Sequence, residues 1–505
     1  MNPQFTRRDF LKSTIAAAGA LSLPARIYAA AEGANEDIRI GIVGFNSRGQ
    51  DHIKNYLGLK GVRITAMCDV DANVLQKGQA QLKDKGAEVE TFQDIRKLLE
   101  SKNIDAVSIA TPNHWHSLAA IWAIQAGKDV YVEKPVSHNV WEGRQLVMAA
   151  DKYQKIVQMG VQSRSGPGLA AVLEWLKAEP LGKLKWARGL CYKRRPSIGK
   201  VTQETPFPSN LDKDLWFGPA PVKPIMRAKL HYDWHWVWDT GNGDLGNQGI
   251  HQMDIARRFL GEDALAPAVF TVGGRLGYED DGETPNSMFV FHDYKKAPLI
   301  FEVRGLPDKT DSKDMDKYRT ASVGVVVQYE NGYVACPDYA NAAVYSNKGE
   351  LLRTFGKPPI AADVVKADGF EAVTASDGAQ DQGNHYANFL KAVRSRKTSD
   401  LHGKIEDGHI SSALCHTGNI SYMLGKKQSP QAILEKFKGN KEAIDSFERL
   451  ATHLNANGVD INTTPLTVGE FLKMDPKTEK FVKNKAADQL LTREYRAPYV
   501  VPEKV

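Results

Sequence analysis

Cysteine is scarce in this chain, and its spacing excludes two common uses of the residue. The 505 residues include four cysteines, Cys68, Cys191, Cys336 and Cys415. They lie far apart, and no two of them form the Cys-x-x-Cys pair that is typical of zinc sites and redox centres. A disulfide framework is excluded as well, because such frameworks need many cysteines in a short chain. We therefore expect buried thiols that pack as small apolar side chains.

A strong excess of charge of one sign is also missing. The chain has 66 basic and 60 acidic residues, of which residues 1–31 hold four basic and one acidic. The remainder has 62 basic and 59 acidic residues and a net charge of +3. Such a balance gives no reason to expect nucleic acid or an anionic membrane as a partner. A small-molecule substrate is the expected partner instead.

The apolar run near the N-terminus, Ser13–Leu23, is too short to cross a bilayer, which takes about 20 residues. It follows the pair Arg7-Arg8 and precedes the small residues Ala29–Ala31. Twin arginines, a short apolar run and small residues, in this order, are typical of a signal for export in the folded state. We therefore expect residues 1–31 to be a twin-arginine signal peptide, the mature protein to be periplasmic, and no segment to span a membrane.

Apolar runs alternate with helical patterns over residues 36–160, which indicates βα units and a parallel sheet. This range is predicted to be an α/β Rossmann domain. Residues 161–425 have strand-like segments with turns between them, which indicates an α+β domain with a large, mostly antiparallel sheet. Residues 426–505 carry no recognisable motif and form a C-terminal extension of unknown role. In the first domain, strands are predicted at Ile38–Val43, Val62–Cys68, Ala106–Ala110, Asp129–Val132 and Ile156–Gly160.

The first predicted strand runs into Gly44-x-Asn46-x-x-Gly49, a variant of the G-x-G-x-x-G fingerprint of dinucleotide sites. Asn46 replaces the second glycine, and asparagine tolerates positive φ better than most residues. Asp69 ends the second predicted strand, where a carboxylate accepts hydrogen bonds from ribose hydroxyls and repels a 2′-phosphate. The pattern therefore predicts a nucleotide site that favours NAD over NADP.

Two further strings follow the third and fourth predicted strands, Ala110-Thr-Pro-Asn-His-Trp-His116 and Val132-Glu-Lys-Pro135. With the glycine turn, they resemble the Gfo/Idh/MocA family, named for glucose–fructose oxidoreductase, inositol dehydrogenase and MocA. The resemblance covers roughly residues 36–425. It implies an N-terminal Rossmann domain and a C-terminal domain whose open sheet carries the substrate site and often an oligomer interface, so a homo-oligomer is expected. Export in the folded state would let NAD be loaded in the cytoplasm and carried out, so tightly bound NAD is expected. The cofactor-binding residues it implies are Gly44, Phe45, Asn46, Ser47, Arg48, Gly49, Asp69, Thr111, Pro112, Asn113, His116, Glu133 and Lys134.

The segment Gly243–Asp254 resembles the family's stretch in which an acidic residue precedes a histidine by four. Lys134 and His251 are then the expected catalytic pair, because a cation stabilises a developing alkoxide and an imidazole titrates near neutral pH. Asn247 stands where the family has its aspartate, and asparagine cannot take a proton. Asp254, three residues after His251, is the carboxylate that a helix would place on the same face.

Aromatic and basic residues before this segment are candidates for the substrate site. Trp234 and Trp236 recur with period two, so on a strand they would share one face. Such a face suits the apolar C–H surface of a sugar ring, although an aromatic core strand explains the pattern equally well. His114 and His116 flank Trp115, but no third ligand completes a metal site, so none is expected. The candidate substrate residues are Tyr192, Arg194, His231, Trp234, Trp236 and His251.

The function that these residues favour is an NAD-dependent oxidoreductase that oxidises a secondary hydroxyl of a sugar, glycoside or cyclitol. The alternative is a redox-type glycoside hydrolase, which uses tightly bound NAD for a transient oxidation, an elimination and a final reduction. Such an enzyme needs one further base, for which Tyr192 and His231 are candidates. A non-catalytic NAD-binding protein is a third possibility, which the presence of both Lys134 and His251 disfavours.

Overall fold

The computed structural model describes residues 37–356 and 384–505. The predicted signal peptide, residues 1–31, lies outside the described residues. Within the described ranges no helix combines the length and apolar character needed to span a membrane. All four cysteines are free and buried, which confirms the expectation from their spacing.

The N-terminal domain is a six-stranded parallel sheet in the order β3-β2-β1-β4-β5-β6. The predicted strands are confirmed, and β3 was missed because it has only three residues and two of them are polar. The strands are β1 Ile38–Val43, β2 Val62–Cys68, β3 Glu90–Phe92, β4 Ala106–Ile109, β5 Asp129–Glu133 and β6 Val157–Gly160. The helices between them are α1 Arg48–Leu57, α2 Ala72–Lys83, α3 Ile95–Glu100, α4 Asn113–Gln125 and α5 Val140–Lys152.

The register of this sheet brings the predicted motifs to one edge. Val43 of β1 lies opposite Cys68 of β2 and Ile109 of β4, and Ile109 lies opposite Val132 of β5. The loops that follow these four strands therefore start at the same edge of the sheet, the edge formed by the carboxyl ends of the strands. In parallel sheets with helices on both faces, ligands bind outside the carboxyl ends of the strands, where the strand order reverses. Here that point is between β1 and β4.

The second domain is built on a sheet of twelve strands, most of them antiparallel. The exception within the described residues is the pair β7 and β10, which run parallel. The strands are β7 Leu184–Tyr192, β8 Ala268–Gly274, β9 Ser287–His292, β10 Leu299–Arg304, β11 Val323–Tyr329, β12 Gly332–Cys336, β13 Ala342–Ser346, β14 Leu351–Phe355, β15 Lys426–Gln428, β16 Leu466–Val468, β17 Leu472–Asp475 and β18 Lys480–Phe481.

Two helices pack between the sheets. One is Gly249–Leu260, which lies so close to β7 that a Cβ added to Gly189 would be 2.9 Å from the Cβ of Gln252. The other is the buried helix Ile405–Met423. The helices of this domain are α6 Pro167–Ala178, α7 Lys213–Phe217, α8 Gly243–Asn247, α9 Gly249–Leu260, α10 His385–Ser395, α11 Ile405–Met423, α12 Pro430–Lys436, α13 Lys441–Ala456 and α14 Lys485–Gln489.

The C-terminal extension belongs to the second sheet. Its strand β16 pairs with β8, and its helices α12 and α13 cover the outer face of the sheet. Phe437 stacks on Phe270 of β8 with ring centroids 4.5 Å apart, and Phe447 of α13 lies in the same apolar cluster. Arg449 of α13 also pairs with the buried carboxylate of Glu302 on β10. The sheet that the family resemblance describes as open is therefore covered on this face by its own chain.

The last residues return to the Rossmann domain. The backbone amide of Trp141 donates to the carbonyl oxygen of Leu491 at 2.9 Å. The ring of Tyr499 lies 5.5 Å from that of Trp115 in an edge-on arrangement, and its hydroxyl donates to Asp214 at 2.5 Å. The extension thus links both domains.

We expect Phe437→Ala to lower the free energy of unfolding by about 3–5 kcal/mol, the usual loss when a buried phenylalanine is truncated. Leu434 is the matched control, because it is on α12, which Phe437 directly follows, but is 38% exposed, so Leu434→Ala should change stability by less than about 0.5 kcal/mol. Chemical denaturation of the full chain measures both. Equal, small effects would show that residues 426–505 do not stabilise the sheet.

Candidate active site

A glycine turn after β1 forms one wall of a cleft. Gly44 has φ of 75°, and a Cβ there would be 2.9 Å from the amide nitrogen of Thr111. A Cβ on Gly49 would be 2.2 Å from the carbonyl oxygen of Gly44. Both positions therefore need glycine. The turn leads into α1 without a capping hydrogen bond from the Ser47 side chain, which leaves the first helix amides able to bind an anion.

Asp69 lies beside this turn at the end of β2. Its Oδ2 accepts a hydrogen bond from the amide of Phe45 at 3.0 Å, and its Oδ1 accepts one from the amide of Asp71 at 3.0 Å. Burial raises the pKa of this carboxyl to about 6, against the opposing effect of the two amides. Asp69 is therefore ionised at neutral pH and protonated in mild acid.

Glu133 ends β5 and is a buried carboxylate with several partners. Oε1 accepts from Arg48 Nε at 2.9 Å and from Gln162 Nε2 at 3.1 Å, and it lies 3.1 Å from His52 Nε2. Burial disfavours the charged form, but the Arg48 guanidinium and the His52 hydrogen bond outweigh it and hold the pKa well below its usual range. Glu133 therefore connects α1, which carries Arg48 and His52, to the loop after β5, which begins with Lys134.

Lys134 points across the cleft to the second domain. Its Nζ donates to the backbone oxygen of Asn247 at 2.9 Å and to Asn247 Oδ1 at 3.3 Å. Burial lowers the pKa of this ammonium, and the positive charges of Arg48 and Lys193 lower it further, while Glu133 opposes them. Asn247 thus holds the lysine through two uncharged oxygen atoms.

His116 connects the loops after β4 and β5. Its Nδ1 lies 2.6 Å from the carbonyl oxygen of Pro135, and its Nε2 lies 2.7 Å from that of Thr111. Both ring nitrogens face backbone carbonyl oxygens, and the neutral ring donates to one of them, which leaves this histidine a positioning role. His114 lies 3.0 Å from the carbonyl oxygen of Trp216. Among the described residues, no group of three or more His, Cys, Asp or Glu side chains could hold a metal ion.

His251 lies on α9, one turn after Asn247. Its ring packs against Tyr339 at 4.6 Å between centroids, and its Nδ1 is buried without a hydrogen bond among the described residues. Burial, and next the charge of Lys134, lower its pKa to about 3. The imidazole is therefore neutral and close enough to Lys134 to feel its charge.

No hydrogen bond joins Asp254 to His251 among the described residues, although the charge of Asp254 acts to raise the pKa of that imidazole. Its two carboxylate oxygens accept from Arg164 at 2.8–3.1 Å, and Oδ1 also accepts from Ser411 at 2.9 Å. Although burial opposes ionisation, Arg164 lowers the pKa of Asp254 to about 2. Its role is to fix α9 against α11 and the segment before α6, and its contacts are with these structural partners.

The aromatic segment is not a strand. Asp233–Trp236 is one turn of 3₁₀ helix, so Trp234 and Trp236 do not share a face as predicted. Trp234 lines the cleft, whereas Trp236 is buried with the guanidinium carbon of Arg195 5.1 Å from its ring centroid. The chain cannot continue as a regular strand here, because Tyr232, just before the turn, has φ of 66°, whereas β-strands have negative φ.

Two other substrate candidates lie away from the cleft. Tyr192 is fully buried on the outer face of the sheet, where its hydroxyl donates to Glu302. Arg194 donates to the carbonyl oxygen of Ser312 at 3.3 Å on the exposed side. Residues alternate between the two faces of a strand. Tyr192 is on the face that α13 covers, and Arg194 lies at the edge beside the loop before β11.

One cavity of about 560 Å³ joins these groups, from Asp69 to Lys134 and Asn247. The predicted residues that line it are Gly44, Phe45, Asn46, Ser47, Arg48, Asp69, Thr111, Pro112, Asn113, His116, Glu133, Lys134, His231, Trp234 and Asn247. Sequence reasoning missed as site residues Lys193, Leu215, Trp216, Tyr232, His235 and Gln248. The Trp234-His235-Trp236 pattern contained a signal for His235. On the predicted strand, however, His235 would lie on the face opposite the two tryptophans and away from the substrate.

A strap, residues 205–236, crosses from the second domain to the loop after β2. The amide of Ala72 donates to the carbonyl oxygen of Asn210 at 2.9 Å, and Asn210 Nδ2 donates to Asp71 Oδ1 at 2.7 Å. The amide of Asp212 donates to the carbonyl oxygen of Val70 at 3.2 Å. The strap is therefore bonded to the loop after β2, and its residues Leu215, Trp216, His231, Tyr232, Trp234 and His235 line the cavity.

These residues fit a dinucleotide. The turn at Gly44 leaves backbone room for a pyrophosphate, Asp69 offers a carboxylate to ribose hydroxyls, and Lys134 marks the far end of the same cavity. Residues 38–161 match the sequence family described as oxidoreductase family, NAD-binding Rossmann fold. Residues 181–288 match its C-terminal alpha/beta domain. The chain carries both domains of the Gfo/Idh/MocA oxidoreductase family.

Curated relatives in this family include glycosyl hydrolase family 109 proteins. One from Shewanella pealeana is 32% identical over 154 residues, which is 30% of this chain and 34% of the relative. Another, from Shewanella sp. strain ANA-3, is 29% identical over 321 residues, 56% of this chain and 70% of the relative. The match thus spans about a third of the first relative's length.

A solved structure with the same fold is the WlbA dehydrogenase from Bordetella pertussis in complex with NADH and UDP-GlcNAcA. It has a TM-score of 0.52 and 18% sequence identity, and the match covers 75% of this chain and 94% of that one. At this identity the likeness establishes the fold alone.

We expect Asn247→Asp to raise the pKa of Lys134 by about 1–3 units, because an anion at this distance favours the ammonium form. Labelling with acetic anhydride across a pH series, followed by peptide mass spectrometry, locates the midpoint. Lys128 is the internal control, since burial also lowers its pKa but Asn247 is not among the groups that act on it. An unchanged Lys134 midpoint would mean that Asn247 does not set its charge.

Proposed function

We propose that this protein is an NAD-dependent oxidoreductase that oxidises a secondary hydroxyl of a sugar, glycoside or cyclitol. The observation that carries the proposal is the single cavity that joins the glycine turn and Asp69 to Lys134. When bound, the nicotinamide supplies a hydride acceptor. Gly44, Asn46 and Asp69 would hold the dinucleotide, and its reactive end would lie toward Lys134.

Lys134 would act on the reacting hydroxyl. Its ammonium, fixed by Asn247, lowers the cost of alkoxide formation. A neutral imidazole then takes the hydroxyl proton. The charge of Lys134 acts on three imidazoles, those of His116, His235 and His251. Both ring nitrogens of His116 face backbone carbonyl oxygens, which leaves His235 and His251 as candidates.

The substrate end of the cavity combines aromatic and polar groups. The ring of Trp234 offers an apolar surface for the C–H face of a sugar ring, while Lys193, His231 and the hydroxyl-bearing Tyr232 surround it with hydrogen-bonding groups. Sites for small polar ligands combine apolar walls with a few placed polar groups in this way. A carbohydrate or another polyol is the substrate class that this lining favours.

A redox-type glycoside hydrolase is the second candidate. It is favoured by the relatives named glycosyl hydrolase family 109 proteins, one of which is matched over 70% of its length. The two functions differ in their net products, because a dehydrogenase accumulates NADH and a ketone, whereas the hydrolase releases an aglycone without net NADH. Incubation with p-nitrophenyl glycosides, with nitrophenol and NADH measured in parallel, separates them.

Tight retention of NAD and a periplasmic location complete the proposal. The strap's hydrogen bonds to Val70, Asp71 and Ala72 support retention of a bound nucleotide. The Arg7-Arg8 pair supports export after folding. We also keep a homo-oligomer as a proposal, with an interface other than the outer sheet face that α12 and α13 cover.

We expect Lys134→Met to slow reduction of bound NAD in a single turnover by about 10²–10⁴-fold, because the reacting hydroxyl loses its cation. The substrates to test are a panel of hexoses, N-acetylhexosamines, inositols and p-nitrophenyl glycosides, followed by absorbance at the reduced-nicotinamide band. Nucleotide content after denaturation should equal that of the wild type. If the wild type reduces its nucleotide with no member of the panel, the proposed function is wrong.

The preference for NAD over NADP should depend on pH. Asp69 has a pKa of about 6, raised by burial, so it is charged above that pH and repels a 2′-phosphate. We expect the ratio of the two dissociation constants, from titration calorimetry on nucleotide-free protein, to favour NAD more at pH 8 than at pH 5. Asp69→Asn should remove this pH dependence, and a ratio that is independent of pH in the wild type would contradict the assignment.

Replacement of Arg7 and Arg8 by lysine should leave the precursor in the cytoplasm, folded and loaded with nucleotide. Cell fractionation with an antibody to the protein measures the distribution. Normal appearance of this variant in the periplasm would refute a twin-arginine signal.

A further inference from the structure

A second histidine, which the sequence analysis did not place in the site, faces the same cavity as Lys134. His235 belongs to the 3₁₀ turn Asp233–Trp236, and its side chain lines the cavity together with Lys134 and Asn247. Its Nδ1 lies 2.5 Å from the carbonyl oxygen of Tyr232. A carbonyl oxygen can only accept, so Nδ1 carries the proton and donates it. The lone pair of the neutral ring is therefore on Nε2.

The ring of His235 is fixed by aromatic neighbours, one of which is Tyr232 at 4.7 Å between centroids, and by the backbone behind it. It stacks on Trp234 with centroids 3.6 Å apart and an angle of 19° between the planes. Thr240 Oγ1 donates to the carbonyl oxygen of Trp234 at 2.9 Å. A Cβ on Gly241 would be 2.5 Å from the Cα of His235, so the backbone behind the ring has no room to shift. An acid–base group needs this fixed orientation.

The turn that carries His235 is anchored to the second domain by a buried ion pair. Arg195 donates to both carboxylate oxygens of Asp244, with Nε at 2.7 Å from Oδ2, and its Nη1 donates to the Tyr232 hydroxyl at 3.0 Å. Tyr232 in turn supplies the carbonyl that fixes the tautomer of His235. Its positive φ of 66° is a strained conformation for a tyrosine, and such residues concentrate at functional sites.

His235 is neutral at pH 7. Burial lowers its pKa to about 3, the bond to the Tyr232 carbonyl partly opposes this, and the charge of Lys134 lowers it further. Nε2 is therefore unprotonated and has a free lone pair, while burial and the Lys134 charge weaken the ring as a base. The position and orientation of the ring, and not its pKa, support its assignment. His251 shares this neutral state, but it differs in geometry.

His251 lacks the two features that define His235. Its Nδ1 has no hydrogen-bond partner among the described residues, so nothing selects one tautomer. The residues of its segment that line the cavity are Asn247 and Gln248, whereas His251 itself packs against Tyr339. Of the two imidazoles, only that of His235 is both oriented and placed at the cavity surface.

We propose that His235 is the catalytic acid–base residue of this site, and that its Nε2 takes the proton of the substrate hydroxyl next to Lys134. The O–H bond breaks and an N–H bond forms at Nε2, while the carbinol C–H bond breaks and its electron pair leaves as hydride to the bound nicotinamide. The carbon–oxygen bond becomes a carbonyl. In the reverse direction, Nε2 returns the proton. The inference rests on the proposed function and assigns its base.

The test compares His235→Asn with His251→Asn in the full chain. Asparagine at position 235 can still donate to the Tyr232 carbonyl from a position like that of Nδ1, but it has no basic nitrogen. We expect His235→Asn to retain bound nucleotide and to slow single-turnover NAD reduction by about 10²–10⁴-fold. We expect His251→Asn to slow it by less than about tenfold. His402→Asn, at an exposed histidine outside the cavity lining, is the control and should match the wild type.

Rescue separates a chemical role from a structural one. His235→Ala leaves a space beside Trp234 that free imidazole can fill, so added imidazole should restore the rate of NAD reduction at least about tenfold in this variant and leave Lys134→Met unchanged. The substrate is the panel member that gives the wild type its largest NADH signal. Near-wild-type rates in His235→Asn, or loss of rate in His251→Asn alone, would overturn the assignment while the proposed function stands. A wild type that is inactive across the panel would instead refute the proposed function.

Discussion

The buried carboxylate of Glu133 connects the two halves of the site. It ends β5 of the parallel sheet, and it binds Arg48 at the start of the first helix and His52 one turn later. The next residue is Lys134. Arg48 and His52 hold the pKa of Glu133 well below its usual range, so the carboxylate stays charged although it is buried. Glu133 therefore links the helix that follows the glycine turn to the loop that carries the lysine.

The second domain completes the site through backbone as much as through side chains. Asn247 receives the lysine with its carbonyl oxygen, and Asp254 fixes the same helix by its bonds to Arg164 and Ser411. Arg195 and Asp244 do the same for the turn that carries His235. These buried ion pairs thus fix the positions of a helix and a turn, and they do not themselves face the cavity.

Motifs that depend on local geometry were predictable from the sequence. Gly44 and Gly49 could be predicted because the turn itself requires glycine at both positions, where a Cβ would collide with backbone atoms. Lys134 could be predicted because it directly follows a strand with an apolar sequence pattern. Tyr192 was misplaced because its partner Glu302 lies on another strand and its neighbour Arg449 lies in the extension. Asp254 was misplaced because helical spacing shows which residues share a face but not which cations come from elsewhere. His235 was missed because its role depends on a single turn whose positive φ at Tyr232 has no sequence signature.

The strap bears on how a bound nucleotide would exchange. Its Asn210 bonds to the Asp71 side chain and to the Ala72 amide, next to the carboxylate of Asp69. A dinucleotide that these bonds retained through many turnovers would behave as a prosthetic group. The electron pair taken from one substrate would then have to return to a second acceptor in the same cavity before the next cycle could begin. The capacity for oxidation would be counted per protein molecule, whatever the nucleotide pool around it.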